Sequence, residues 1–276
     1  MASKINLNSE EVGSDCQGSV YKNIQEMWDT ELTDKDTGSV INKIGSKDNW
    51  YSKQAQYWEK TEATFEGVLG GFGKLHKPDI TDSRKFLELL HDKYDLKYGR
   101  VIDCGAGMGR ITKEFLLHFF KNADVVDQNP KYIEACKQNF KDDKRVEHFI
   151  AKGLQELEFP EKYNCIWIQW VCNYLTDEDF VKFLKRCSKA LVQNGFIVVK
   201  ENIAQKGFIV DKEDSSVTRS DKLFLDVFKQ ADLKVVETQM QSNFPKELFK
   251  VKTYALVPLQ KNQDEKMDYE TEEKTS

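Results

Sequence analysis

The 276-residue chain has a formal net charge of -5, with 39% hydrophobic and 32% charged residues, enough for one sizeable core under a polar surface. No strongly basic stretch favours nucleic acid, and no apolar run suits a bilayer or a signal-peptide core. The six cysteines show no C-x-x-C spacing and mostly sit in apolar runs. We therefore expect reduced, buried thiols, no metal, no nucleic-acid or membrane partner, a monomer, and a place in cytoplasm or nucleus.

Residues 1–45 are polar, with one short helical pattern around Val20, Ile24 and Trp28, and read as a flexible extension. Residues 46–99 read as a helical lid segment. Tyr51, Ala55 and Trp58 fall at helical spacing, Leu69-Gly-Gly-Phe-Gly73 interrupts the pattern, and a helix is expected from Asp82 to about Tyr94. Residues 100–258 then alternate strands with helices. Strands are expected at Arg100–Asp103, Ala123–Asp127, Arg145–Ile150, Asn164–Trp170, Phe196–Lys200, Leu233–Met240 and Phe249–Val257. Helices are expected from Arg110 to about Phe120, at Pro130–Phe140, at Asp177–Leu191 with Thr176 as N-cap and Asn194-Gly195 closing it, and at Asp221–Ala231. Residues 259–276 read as a charged, disordered tail. The pattern is that of an α/β, Rossmann-like fold: a mostly parallel seven-stranded sheet with helices on both faces and an added N-terminal helical segment.

The chemistry-bearing residues fall at the predicted strand ends. Val101-Ile-Asp-Cys-Gly-Ala-Gly-Met-Gly-Arg110 reads as strand, glycine turn and helix start, which lets a ligand approach the backbone. A dinucleotide fingerprint needs glycine where Arg110 stands, so a dehydrogenase is disfavoured. Asp127 lies 22 positions after Gly105 and suits a ribose diol. Gln155 offers an amide to a base edge, and Arg110 a planar guanidinium to a carboxylate. Trp167 reads as core. Trp170 and Gln169 lie on opposite faces, one toward the ligand and one toward the substrate. After Glu201-Asn202, a loop is expected to deliver Asp211, Asp214, Ser215 and Ser216 to a pocket for a positive group.

Asp103-Cys-Gly-Ala-Gly-Met-Gly-Arg-Ile-Thr-Lys113, Ile166-Trp-Ile-Gln-Trp170, Glu201-Asn202 with Asp214-Ser-Ser216, and Leu69-Gly-Gly-Phe-Gly73 together resemble the protein α-N-terminal methyltransferase family. The resemblance covers about Asn49 to Val257. It implies S-adenosylmethionine as cofactor and S-adenosylhomocysteine as product, with methylation of an exposed protein α-amine, usually at X-Pro-Lys or X-Pro-Arg. By the same resemblance, Gly105, Gly107, Arg110, Asp127, Gln128, Leu154, Gln155, Gln169 and Trp58 are the cofactor residues. Trp170, Asn202, Asp211, Asp214, Ser216, Leu69 and Gly70 are the substrate residues. Asp214, Asn202 and Tyr174 are the catalytic candidates.

Two positions depart from that pattern. Asn173-Tyr174 stands where the family usually has glycine and a proton-accepting histidine, and a neutral tyrosine is a poor base near pH 7. Phe249 stands where a substrate-binding tyrosine is common. Both bear on the proton route, the number of methyls and the sequence preference, and leave the cofactor site untouched. Two alternatives stay open: a methyltransferase for a small amine or another protein site, and a non-catalytic methyltransferase-like binding subunit.

Overall fold

The computed structural model describes residues 10–32 and 44–259. In chain order the elements are β1 (Gly13–Asp15), β2 (Val20–Tyr21), α1 (Ile24–Glu31), α2 (Ile44–Glu59), α3 (Phe65–Val68), α4 (His76–Tyr94), β3 (Arg100–Cys104), α5 (Arg110–Glu114), β4 (Asn122–Asp127), α6 (Pro130–Asn139), β5 (Val146–Ala151), β6 (Tyr163–Gln169), α7 (Asp177–Ala190), β7 (Leu191–Ile203), β8 (Phe208–Asp211), β9 (Ser216–Arg219), α8 (Asp221–Gln230), β10 (Leu233–Met240) and β11 (Lys250–Pro258).

The main sheet has the order β10-β11-β7-β6-β3-β4-β5. Strands β3 to β7 pair in parallel, and β11 runs antiparallel to both β7 and β10. This is the expected Rossmann-like, mostly parallel seven-stranded sheet. Alternation along each strand splits the interior into two cores. Ile102, Ile166, Ile168, Ile197 and Val199 pack with Phe180 and Leu184 of α7 and Phe224 and Val227 of α8. Val101, Cys165, Trp167, Phe196 and Val198 pack on the opposite face with Phe86 and Leu90 of α4 and Ile133 of α6. From β3 the sheet winds one way through β4 and β5. From β6 it winds the other way through β7. The crevice between β3 and β6 is where such a sheet receives a ligand.

Several boundaries differ from expectation, each for a local reason. Helix α4 begins at His76, six residues early, because Pro78 is tolerated in a first turn. The helix expected from Arg110 to Phe120 ends at Glu114 and continues only as a 3-10 turn, Leu116–His118, since Phe115 takes φ -137. Helix α7 ends at Ala190, so Asn194-Gly195 does not close it. Asn194, at φ 60, instead lies where the β6–β7 register slips, a bulge in β7. The loop expected to carry Asp211, Asp214, Ser215 and Ser216 is the hairpin β8–β9, with Asp211 opposite Ser216.

The largest correction concerns the amino terminus. Residues 10–32 are folded, not a flexible extension. Strands β2 and β1 join β8 and β9 in a second sheet, order β2-β1-β8-β9. Helix α1 buries Ile24, Met27 and Trp28, and Asn23 caps it by accepting from the Glu26 amide. The reading of residues 259–276 as a tail falls, beyond Leu259, outside the described residues.

Candidate active site

The loop after β3 is shaped by its glycines. Gly105 sits at φ +76, and a Cβ there would fall 2.6 Å from Val171. The loop therefore folds against the residue that follows Trp170, which only glycine permits. The amide of Gly107 donates to Asp127 Oδ2 at 2.9 Å, and that of Asn129 to Asp127 Oδ1 at 2.9 Å. Asp127 is thereby fixed at the end of β4. Burial pushes its carboxyl up to about 6. The Asp103 carboxyl, one residue from the end of β3, is likewise pushed up to about 6 by burial and accepts from Thr112 at 2.6 Å.

One pocket lies over these strand ends. Gly105, Gly107, Arg110, Asp127, Gln128, Leu154, Gln155, Gln169 and Trp58 all line it, so the structure brings together every cofactor-side candidate. Trp170 and Tyr174 line it as well. Arg186 holds the Leu154–Gln155 wall from outside, donating to the carbonyls of Leu154 at 2.7 Å and Gln155 at 2.9 Å. Among the lining residues to which the sequence reading gave no role are Gln54, Asp103, Tyr132 and Val171. A carboxylate inside an otherwise apolar strand was a usable signal for Asp103. Gln54 is a polar position on a polar helix, and nothing in the sequence marks it.

Arg110 is buried and donates to Asp79 Oδ2 at 2.8 Å. Asp79 Oδ1 accepts from Lys200 at 2.5 Å and from the Gln169 amide at 2.8 Å. Burial alone would raise the Asp79 carboxyl, but Lys200 and Arg110 hold it below its ordinary range. The guanidinium also lies 5.6 Å from the ring of Trp170. Trp170 takes φ +53, a rare conformation for a bulky residue and one that marks functional turns.

Helix α2 closes one side. Lys47 pairs with Glu178 at 2.8 Å and Asp179 at 3.1 Å, and Tyr51 donates to Asp179 at 2.8 Å. Trp50 Nε1 donates to the Tyr174 carbonyl at 2.9 Å, and the Trp58 ring meets Tyr174 edge-on at 6.0 Å. Next to this contact stands the β8–β9 hairpin. The Tyr174 hydroxyl lies 3.1 Å from Asp214 Oδ2. Burial, then the Asp214 charge, raises the Tyr174 phenol well above its ordinary value, so it stays neutral and donates. Burial also pushes the Asp214 carboxyl up, and neighbouring Asp211 adds to it. Asn202 ends on β7 with its carbonyl accepting from Asn173 at 3.4 Å. Leu69 is buried after α3, and Gly70 follows it at φ +57. Ser216 and Asp211 lie opposite each other in the hairpin. Phe249, at the foot of β11, is exposed.

The sequence profile of the AdoMet-dependent proline di-methyltransferase family matches residues 46–257. The chain belongs to that family. Relatives agree along most of its length. Alpha N-terminal protein methyltransferase 1 of Dictyostelium discoideum is 44% identical over 250 residues, covering 88% of this chain and 90% of that protein. N-terminal Xaa-Pro-Lys N-methyltransferase 1-B of Xenopus laevis is 40% identical over 217 residues, covering 77% and 97%. Among solved structures, a SAM-dependent methyltransferase from Leishmania major superposes with a TM-score of 0.81 at 38% identity, covering 90% of this chain and 97% of that one. A family proline di-methyltransferase of this fold is an enzyme, and its cofactor is S-adenosylmethionine.

The pocket fits that cofactor on its own chemistry. Gln54 Oε1 and Trp170 Nε1 are buried there without a partner among the described residues. Such orphaned atoms cost about 1–3 kcal/mol each, which a polar ligand offsets. The Asp127 value carries an expected result. If Asp127 takes the cofactor's ribose, as the sequence leads one to expect, the donating hydroxyls favour the ionised carboxylate. Affinity for S-adenosylmethionine is level above pH 7 and weakens as pH falls through 6, by up to about tenfold per pH unit. Calorimetry from pH 5 to 8 checks this, with Asp127→Asn weaker throughout and with a flatter slope. Level affinity down to pH 5 in the parent protein would remove Asp127 from the ribose contact.

Among the described residues, no helix is long and apolar enough to cross a membrane.

Proposed function

We propose that this enzyme methylates the exposed α-amine of proteins beginning X-Pro-Lys or X-Pro-Arg. One observation carries the reading. The Asp214 carboxyl is buried beside the neutral Tyr174 hydroxyl and the mouth of the cofactor pocket, and among the described residues only Tyr174 and Ser216 offer it a donor and no cation does. A buried carboxylate with no cationic partner at that place suits an ammonium group. The names of the Dictyostelium and Xenopus relatives support the same substrate class.

Bound S-adenosylmethionine supplies an electrophilic methyl carried on a sulfonium. Around it, Gly105 and Gly107 form the floor, and Arg110 meets the methionine carboxylate with the donors that Asp79 leaves free. Asp127 takes the ribose, and Gln128, Leu154 and Gln155 take the adenine end. Gln169 and Trp58 close the reactive end. On the acceptor side Trp170 walls the substrate's proline, Leu69 and Gly70 border the peptide, and Asn202 anchors its backbone. Asp214 receives the ammonium and takes its proton, with Tyr174 steadying the carboxylate as a donor. Ser216 and Asp211 meet the first and third substrate residues. An α-amine has a reference pKa of about 7.7–8.0, so the residues need to align the amine more than to force its ionisation.

All six cysteines are free and five are buried, a state of a reducing compartment, which supports cytoplasm or nucleus. Incubation with isotopically labelled S-adenosylmethionine and an X-Pro-Lys peptide library, read by mass, tests the function. Label on the α-amine of X-Pro-Lys peptides supports it. Label on small amines or internal side chains alone sinks it.

A further inference from the structure

Residues 10–32 lie outside the 46–257 span of the family profile, yet they fold directly onto the hairpin assigned above to the peptide. Strand β1 pairs in parallel with β8, Gly13 opposite Phe208 and Asp15 opposite Val210. The approach leaves no space for a side chain. A Cβ on Gly13 would fall 2.2 Å from the Phe208 ring, and one on Gly207, at φ +56, would fall 1.7 Å from the Val12 carbonyl oxygen. Two further anchors hold the arm. Trp28 Nε1 donates to Asp177 Oδ2 at 2.6 Å, and Asp177 Oδ1 accepts from Arg219, the last residue of β9, at 2.7 Å. Trp28 also meets Trp50 edge-on at 5.0 Å, and Trp50 in turn holds the Tyr174 carbonyl.

The electrostatics point the same way. The turn of the hairpin reads Asp211-Lys212-Glu213-Asp214, so one cation sits among three acids. Lys212 is turned away onto the arm, 2.6 Å from Asp15 and 3.2 Å from Glu31. The Tyr21 hydroxyl lies 3.1 Å from Asp15 and 2.9 Å from Glu31, closing the cluster. A free ammonium there would pair with Asp211 and repel a substrate cation. Two arm carboxylates engage it instead.

We propose that the amino-terminal arm is a positioning element of the acceptor site. It fixes the β8–β9 hairpin by strand pairing and neutralises Lys212, so that the hairpin acids face a cationic peptide. The arm thereby sets affinity for protein N-termini without touching the cofactor. This rests on the assignment of the hairpin to the peptide.

The test uses the full-length protein with Asp15→Asn, alone and with Glu31→Gln, and a Ser-Pro-Lys peptide. KM for the peptide rises about tenfold, the size expected when charge complementarity to a cationic partner is lost. Turnover stays within about twofold, and S-adenosylmethionine affinity by calorimetry is unchanged. Amide hydrogens of residues 208–219 exchange faster, while those of β3 to β6 do not. Adding Lys212→Ala to Asp15→Asn recovers part of the lost affinity, because the released cation is gone. A loosened hairpin alone would not recover. Trp28→Phe, which removes the hydrogen bond to Asp177, raises KM in the same direction and stands in if Asp15→Asn fails to fold. Unchanged KM in the arm variants, with Asp211→Asn still raising it, overturns the arm proposal alone. If Asp211→Asn and Asp214→Asn also leave the peptide kinetics unchanged, the hairpin assignment falls and the arm proposal with it.

Discussion

Asp214→Asn lowers turnover by about 100-fold at pH 7 and leaves S-adenosylmethionine affinity within about twofold. The asparagine keeps the shape and can still accept from Tyr174. It removes the charge that the ammonium meets and the basic oxygen that takes its proton. Tyr174 cannot substitute, because burial, the larger cause and one the variant keeps, holds its phenol above its ordinary value. The deficit has a pH signature. Above about pH 8 the α-amine is largely neutral by itself, so the loss narrows as pH rises. Peptide turnover measured from pH 6.5 to 9.5, with calorimetry on the same samples, reads both effects. A deficit constant across that range would make Asp214 a binding residue with no part in the proton's route. Parent-like turnover at pH 7 would remove it from the site.

The core of the fold was legible because its signals are local. Val101–Ile102 before Asp103 and glycines 105, 107 and 109 mark a strand, turn and helix within one short window. Thr176 before Asp177, Glu178 and Asp179 marks a helix start, and the structure caps α7 there. The acceptor side was harder to read. Strands β8 and β9 have four residues each, too few for alternation to show. Strand β1 has three, and its partner β8 lies some 195 residues further along the chain. A pairing at that distance leaves no periodic trace in either segment. Gly13 and Gly207 look like ordinary turn residues until each is found under the other segment's backbone or ring. Asp211, Asp214 and Ser216 could be named as substrate candidates by resemblance, but their place on a hairpin paired with the amino-terminal strand could not.

The buried charges under the pocket illustrate the same limit and give the largest stability effect. Asp79→Asn is expected to destabilise the fold by about 3–5 kcal/mol, the cost of leaving buried charge without its partner. Asp79 and Lys200 are essentially inaccessible, and Arg110 is nearly so. The single carboxylate answers both cations and also accepts from the Gln169 amide. An asparagine supplies one neutral oxygen in its place, so two positive charges face each other in a dry interior. Lys200 offers the only inexpensive relief, because its pKa already lies below the ordinary lysine value through burial. Without Asp79 it falls further. A lysine whose folded pKa is depressed binds fewer protons than in the unfolded chain, so stability rises with pH between its folded value and about 10.4. The variant should therefore be least stable at pH 7 and recover part of its loss at pH 9. Urea unfolding at both values measures this, and the melting temperature at pH 7 should fall by roughly 6–20 °C. Lys200→Met in the Asp79→Asn background should restore most of the stability, since Arg110 and the Gln169 amide then share the remaining oxygen with no second cation. A loss below about 1 kcal/mol at pH 7 would mean that water reaches these charges and that Arg110 is held by less than this cluster.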